Sequence, residues 1–220
     1  MKYKCLVLDH DDTVVSSTAE IHFPCFVEYL LETGREENAR EYDLATYLIR
    51  NFDPGITSIL KDELKLTDKE MEEEIDYWGR YVDKITPTAY EGIGDIISEF
   101  RRRGGFIAVS SHSFERYIRR DYEANSLPMP DVIYGWDIPD EMRKPSSATI
   151  FDVMKKYGFT QDEILVVDDL KPGFDMARGA GVDFAAAGWA YDVPEIEAFM
   201  RRHCDYYLSS VAELHSLLFD

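Results

Sequence analysis

Short apolar runs punctuate the chain, and each stops abruptly at polar or small residues. Lys4-Cys5-Leu6-Val7-Leu8 comes first and ends in a cluster of acids. Similar runs recur at Phe106-Ile107-Ala108-Val109, Val132-Ile133-Tyr134, Ile164-Leu165-Val166-Val167 and Phe184-Ala185-Ala186-Ala187. Apolar stretches this short, without polar alternation, describe strands buried on both faces. Between them the period lengthens to that of a helix, with Ile93, Ile96, Ile97 and Phe100 on one stripe and Ile150, Val153, Met154 and Tyr157 on another. The tail repeats the theme: a helix starting over Pro194 to Phe199, a short strand at Tyr206-Tyr207-Leu208, and a last helix over Val211 to Leu218. Such alternation predicts an α/β fold, a parallel sheet with helices on both faces.

One connection breaks the rhythm. From about Ser17 to Pro87 the pattern is helical throughout. Phe26, Val27, Leu30 and Leu31 mark one helix that stops at Gly34; Leu44, Tyr47 and Leu48 mark another that ends before Asp53-Pro54-Gly55. Thr67-Asp68-Lys69-Glu70 reads as a capping box opening a third, with Met71, Ile75, Trp78, Val82 and Ile85 on its apolar stripe. The acidic run Glu70 to Glu74 is expected on its solvated face. A crossover between parallel strands needs only about a dozen residues. The surplus therefore predicts a small all-α domain over 17–87, inserted into a core built from 1–16 and 88–220. A chain of 220 residues suits one core with one insertion.

Charge narrows the partners. The formal net charge of −19 repels phosphate backbones and anionic membranes, which argues against nucleic-acid and membrane binding. It leaves room for a small anionic substrate, since a metal or a lysine can reverse the field inside a pocket. The first apolar run is too short for a signal segment, and no stretch is long enough to span a bilayer. Cys5, Cys25 and Cys204 are widely spaced and form no CxxC, as suits reduced thiols in a cytoplasmic protein. A monomer and a homodimer are both compatible with the sequence.

In an open parallel sheet, ligands bind beyond the carboxyl ends of the strands. There the sequence places Asp9, Asp11, Asp12 and Thr13 after the first run, Ser110 and Ser111 after the second, and Asp168 and Asp169 after the run at Ile164. Lys144-Pro145 stands just before a helix. Asp9 can attack phosphorus to form an acyl phosphate, and Asp11 can protonate the leaving oxygen, then deprotonate water. Carboxylates facing a phosphate repel: a unit pair at about 4 Å costs on the order of 4 kcal/mol at an effective dielectric of 20. A cation is therefore required. Asp9, a main-chain oxygen of Asp11, and Asp169 or Asp168 supply hard oxygen ligands that suit Mg2+. Lys144 would neutralise Asp9 and the phosphoryl group, and Ser110 would bind a phosphoryl oxygen. Ser111 and His112 are candidate substrate contacts, while His10 fills the spacer between the two aspartates.

Taken in order, these motifs resemble the haloacid dehalogenase (HAD) superfamily, in particular its phosphatase branch. Asp9-His10-Asp11-Asp12-Thr13 is similar to the first family motif, Ser110 to the second, Lys144-Pro145 to the third, and Asp168-Asp169 with Gly173 and Ala177 through Gly181 to the fourth. Asp12 departs from the pattern, standing where the family usually has glycine. The resemblance implies a Rossmann-like core with a C1-type helical cap, as in the phosphoglycolate phosphatases and β-phosphoglucomutases. It implies a Mg2+-dependent phosphatase acting on a small phosphorylated metabolite, with Asp9 as nucleophile and Asp11 as general acid/base. The cap would close over the substrate about hinges near Ser16 and Pro87 to Glu91, with Arg50 and Asn51 reaching down from a cap loop. Two other readings stand beside it: a phosphomutase, and a binding protein on a decayed scaffold. His22 lies near the position of a proton-handling histidine in the β-phosphoglucomutases but one residue further from Asp9, and is expected to be an ordinary cap-helix histidine.

Overall fold

β1 (Cys5–Leu8) is buried at every position, as befits a strand in the middle of a sheet. The computed structural model describes Met1–Asp220 and extends this pattern to the other apolar runs. After β2 (Val15–Ser16) and β3 (Thr88–Ala89) come β4 (Phe106–Ser110), β5 (Val132–Tyr134), β6 (Ile164–Asp168), β7 (Asp183–Ala187) and β8 (Tyr206–Leu208). Six of these form one parallel sheet in the order β5-β4-β1-β6-β7-β8. β2 and β3 instead pair with each other, antiparallel, through Val15–Ala89 and Ser16–Thr88. Two residues a side are too few to leave a periodic trace in the sequence, so this ladder is visible only in the structure.

The chain divides into two compact units, Met1–Ser16 with Thr88–Asp220, and Ser17–Pro87. The second is wholly helical. It contains α1 (Phe23–Glu32), α2 (Glu36–Arg40), α3 (Leu44–Phe52), the single turn α4 (Ile56–Ser58) and α5 (Asp68–Val82), with wider π-type turns at Thr18–His22 and Ile59–Glu63. Its core is aromatic and aliphatic: Phe26, Tyr29, Leu30, Tyr47, Ile59 and Leu60 are all buried in one cluster. The capping box at α5 forms as its sequence requires, with Thr67 N donating to Glu70 Oε2 at 2.8 Å and Glu70 N to Thr67 Oγ1 at 3.3 Å.

Three expectations for this unit need correcting. α5 stops at Val82, so Ile85 lies past its end and is partly exposed rather than on its stripe. Glu70 and Glu74 are not simply solvated. Glu70 bonds Arg35 at 2.8 Å as well as the cap, and Glu74 is half-buried. Arg50 and Asn51 fall on the last turn of α3, not in a loop, because the helix continues until Phe52 is buried.

In the first unit the sheet carries α6 (Ile93–Arg102), α7 (Glu115–Ala124), α8 (Ala148–Tyr157), α9 (Lys171–Ala180), α10 (Pro194–His203) and α11 (Val211–Phe219). Alternate strand residues point to opposite faces. Leu6, Leu8, Ile107, Val109, Leu165 and Val167 meet the apolar stripes of α6, α7 and α11 in one cluster. On the other face, α9 lies against β6 and β7. This is the Rossmann-like arrangement of an α/β sheet covered on both sides. No helix is long and apolar enough to cross a membrane.

Candidate active site

Strand register puts the chemistry in a row. Leu8 lies level with Val109 on β4 and with Val167 on β6. The next residue on each strand, Asp9, Ser110 or Asp168, therefore stands on one line at the carboxyl ends of three neighbouring strands. Asp9 N donates to Val167 O at 2.9 Å, carrying the ladder one residue further. The strand order also reverses at β1: the chain moves outward through β4 to β5, then crosses back to β6. Such a switch point opens a crevice at the strand ends.

Beyond Asp9 the chain turns sharply. Val14 N and Val15 N both donate to His10 O, at 2.9 and 3.1 Å, and Asp12 N donates to Val15 O at 2.7 Å. The turn requires Asp12 at φ 56°, the left-handed region that favours glycine. Aspartate tolerates it better than most residues, at a cost of about 1 kcal/mol. His10, the spacer between the two aspartates, turns into the core. It is fully buried, with Nε2 3.0 Å from Asp121 Oδ2 on α7, and its ring stacks on Tyr122.

Lys144 binds two of the acids. Its Nζ donates to Asp9 Oδ1 at 2.8 Å and to Asp168 Oδ2 at 2.6 Å, and all three side chains are buried. Burial alone would push the ammonium down, but Asp168 and Asp9 outweigh it and hold it above its ordinary value. The other oxygen of Asp168, Oδ1, accepts from Leu170 N at 2.8 Å. Both oxygens of Asp168 are thus engaged within the protein. Gly173 makes room for this carboxylate, because a Cβ there would overlap it.

Asp169 is held differently. Tyr191 OH donates to its Oδ2 at 3.0 Å and lies 3.1 Å from its main-chain oxygen; Thr13 Oγ1 lies 3.4 Å from Oδ1. No basic side chain pairs with it directly. Burial, then the charges of Asp168, Asp9 and Asp12, push its carboxyl well above the usual range. One oxygen from each of Asp9, Asp168 and Asp169 lies within 4.8 Å of the others. Three buried carboxylates this close, with one lysine among them, form a site short of positive charge.

Around this centre the remaining candidates take distinct places. Asp11 is half-buried and its Oδ2 accepts from Ser113 Oγ at 2.5 Å. Ser110 Oγ faces Met176 Sδ at 3.7 Å, and Ser111 Oγ accepts from Ser113 N at 3.1 Å. His112 lies edge-on to Trp136, with Nε2 3.1 Å from Lys144 O. Burial first and Lys144 second push His112 down to about 4, so near neutral pH it is an uncharged ring donating from Nε2 to that carbonyl. Arg50 and Asn51 belong to the helical unit. There Arg50 pairs with Glu63, donates to Tyr42 OH at 3.0 Å and lies over the Tyr42 ring. In the same unit His22 Nδ1 accepts from Trp78 Nε1 at 3.1 Å.

The sequence pattern singles out Thr13 but not Ser113, Tyr191 or Asp121. Ser113 lies within a polar run after β4 and could have been considered with Ser110 and Ser111. Tyr191 and Asp121 leave no local signal, since each reaches the site region only through the fold.

The sequence matches the family described as haloacid dehalogenase-like hydrolase over residues 6–187. No curated protein matches it in sequence. Among solved structures, a haloacid dehalogenase-like hydrolase from Streptococcus pneumoniae is 17% identical, with a TM-score of 0.75 and 99% of each chain covered. A predicted phosphoglycolate phosphatase from Haemophilus somnus 129PT is 17% identical, with a TM-score of 0.71 and 99% of each chain covered. CbbY from Rhodobacter sphaeroides, in complex with phosphate, is 20% identical, with a TM-score of 0.64 and 96% of each chain covered.

Proposed function

Because the chain belongs to the haloacid dehalogenase-like hydrolase family, we propose that it is a Mg2+-dependent phosphatase acting on a small phosphomonoester through Asp9. The single observation carrying this is Lys144, which joins Asp9 to Asp168 beside Asp169 in a buried row at the strand ends. The phosphate bound to CbbY and the phosphoglycolate phosphatase neighbour agree with phosphoryl chemistry on this fold.

The residues fit the metal. Their donors are all oxygen, as a hard divalent ion prefers, and Asp169 has no direct cationic partner to offset its buried charge. Asp9, Asp169 and the main-chain oxygen of Asp11 would hold Mg2+, with Asp168 committed to Lys144 and Leu170. When bound, the ion supplies positive charge that makes the carboxylates and a phosphate dianion compatible.

The protein's own groups account for the remaining steps. A carboxylate oxygen of Asp9 bonds to phosphorus as the ester P–O bond breaks, and Asp11 gives its proton to the departing oxygen. Water then attacks the phosphoryl-aspartate, Asp11 takes a proton from it, and phosphate leaves Asp9. Lys144 orients Asp9 and offsets charge beside the transferred phosphoryl group. The Ser110 hydroxyl would bind a phosphoryl oxygen.

p-Nitrophenyl phosphate with Mg2+ tests the reading. Hydrolysis is expected, lost on chelation with EDTA and reduced at least about 1,000-fold in Asp9→Asn. Hydrolysis undiminished in Asp9→Asn would overturn it.

A further inference from the structure

Lys144 holds one ammonium between Asp9 and Asp168 from a segment that is neither helix nor strand, at the end of a flexible side-chain stem. Its main chain therefore needs an anchor of its own. We infer that His112 is that anchor: a positioning residue for Lys144, acting through the lysine's main-chain oxygen and not on the substrate. The inference rests on the phosphatase reading and adds to it a residue that serves the lysine.

The local chain leaves that oxygen without a main-chain partner. Ser146 N donates to Arg143 O at 2.9 Å, closing a turn in which Lys144 and Pro145 are the two central residues. Pro145 has no N–H, and no main-chain amide donates to Lys144 O. A carbonyl on a buried residue must then find a donor elsewhere. Lys144 is buried, and the donor is His112, whose Nε2 lies 3.1 Å from Lys144 O. A carbonyl can only accept, so the proton of this bond sits on Nε2 whichever charge the ring carries.

His112 is itself held in place. It stands two residues past the end of β4, with its ring edge-on to Trp136 and the ring centroids 5.7 Å apart. Trp136 N donates to Ser113 O at 2.8 Å, which ties the loops after β4 and β5 together. On the same indole lies Arg143, its guanidinium 4.1 Å from the ring centroid and its Nε donating to Ile138 O at 3.1 Å. Trp136 thus braces both the histidine and the residue before Lys144. The two loops form a bracket around the lysine segment, and His112 supplies its hydrogen bond to the lysine's own main chain. Without that bond the main chain can drift and carry the ammonium with it; a misplacement of about 1 Å can cost about 100-fold in rate.

Two amide substitutions separate this role from the alternatives. Glutamine places its side-chain nitrogen where histidine has Nε2, whereas the shorter asparagine reaches only to the position of Nδ1. Both are neutral and both donate. With Mg2+ present, kcat/KM of His112→Ala should fall about 10- to 100-fold, by the same factor on p-nitrophenyl phosphate and α-naphthyl phosphate, because the lysine meets the phosphoryl group that the two substrates share. His112→Gln should return to within about 3-fold of wild type, and His112→Asn should resemble His112→Ala. If His112→Ala does not fold, the contrast between the glutamine and asparagine variants still decides. Glutamine restoring activity no better than asparagine, a loss that differs between the two substrates, or no loss in the alanine variant would overturn the inference and leave the phosphatase reading intact. A wild-type protein that hydrolyses neither substrate would bring down both.

Discussion

Tyr191 lies 22 residues beyond Asp169 and reaches it only because β7 and the turn after it fold back over the strand ends. Its hydroxyl is held far from ionisation, by burial first and by the Asp169 charge next, so it remains a donor at any ordinary pH. Partners of this kind orient a metal-binding carboxylate, and losing one typically weakens binding about 10- to 100-fold. Tyr191→Phe should therefore bind Mg2+ at least about 10-fold more weakly by calorimetry while keeping the wild-type circular dichroism spectrum; an unchanged affinity would remove Tyr191 from this role. Asp12 shows the opposite relation between sequence and structure. Its departure from the family glycine is plain in the sequence, and the structure confirms that the position takes the left-handed conformation that glycine usually serves.

At the level of elements, α5 illustrates how a pattern can place a helix correctly and still misjudge a face of it. The capping box and the stripe from Met71 to Val82 are legible because they are local. Glu74 lies in an acidic run that reads as solvated, yet packing within the helical unit raises its carboxyl to about 7 through burial. A carboxyl raised above its unfolded value of 4.5 binds more protons in the folded state. Its contribution to stability is therefore fully present below about 4.5 and is lost as pH rises through about 7. Glu74→Gln should stabilise the protein at pH 8 by on the order of 2 kcal/mol and have little effect at pH 4.5. Thermal melts of the two proteins at both pH values test this; a gain confined to low pH would contradict it.

For the molecule as a whole, a net charge of −19 makes cations matter beyond the site. Any salt will screen some of the repulsion among surface acids. A bound Mg2+ should do more, adding about 2.7 kcal/mol when its concentration is 100 times its dissociation constant. The melting temperature is therefore expected to rise with MgCl2 above the rise given by NaCl at equal ionic strength, and EDTA should remove the difference. Asp169→Asn should show only the NaCl-like effect. Equal shifts from the two salts in the wild-type protein would argue against a specific site.

The sequence by itself determined the α/β core, since burial on both faces of a strand demands the continuous apolar runs seen at β1, β4, β6 and β7. It also determined the helical character of residues 17–87, and it marked Asp9, Asp11, Ser110, Lys144, Asp168 and Asp169 as polar groups at strand ends or just before a helix. Those are local properties, written in consecutive residues. Tertiary structure alone decided which acid Lys144 would share with Asp9 and which carboxylate would be left to Tyr191. It also buried His10 against Asp121, occupied Arg50 with Glu63, and delivered Ser113 to Asp11. Each of these depends on a register or a packing contact between segments far apart in the chain. No local pattern records such a contact, because its free energy comes from two distant surfaces meeting.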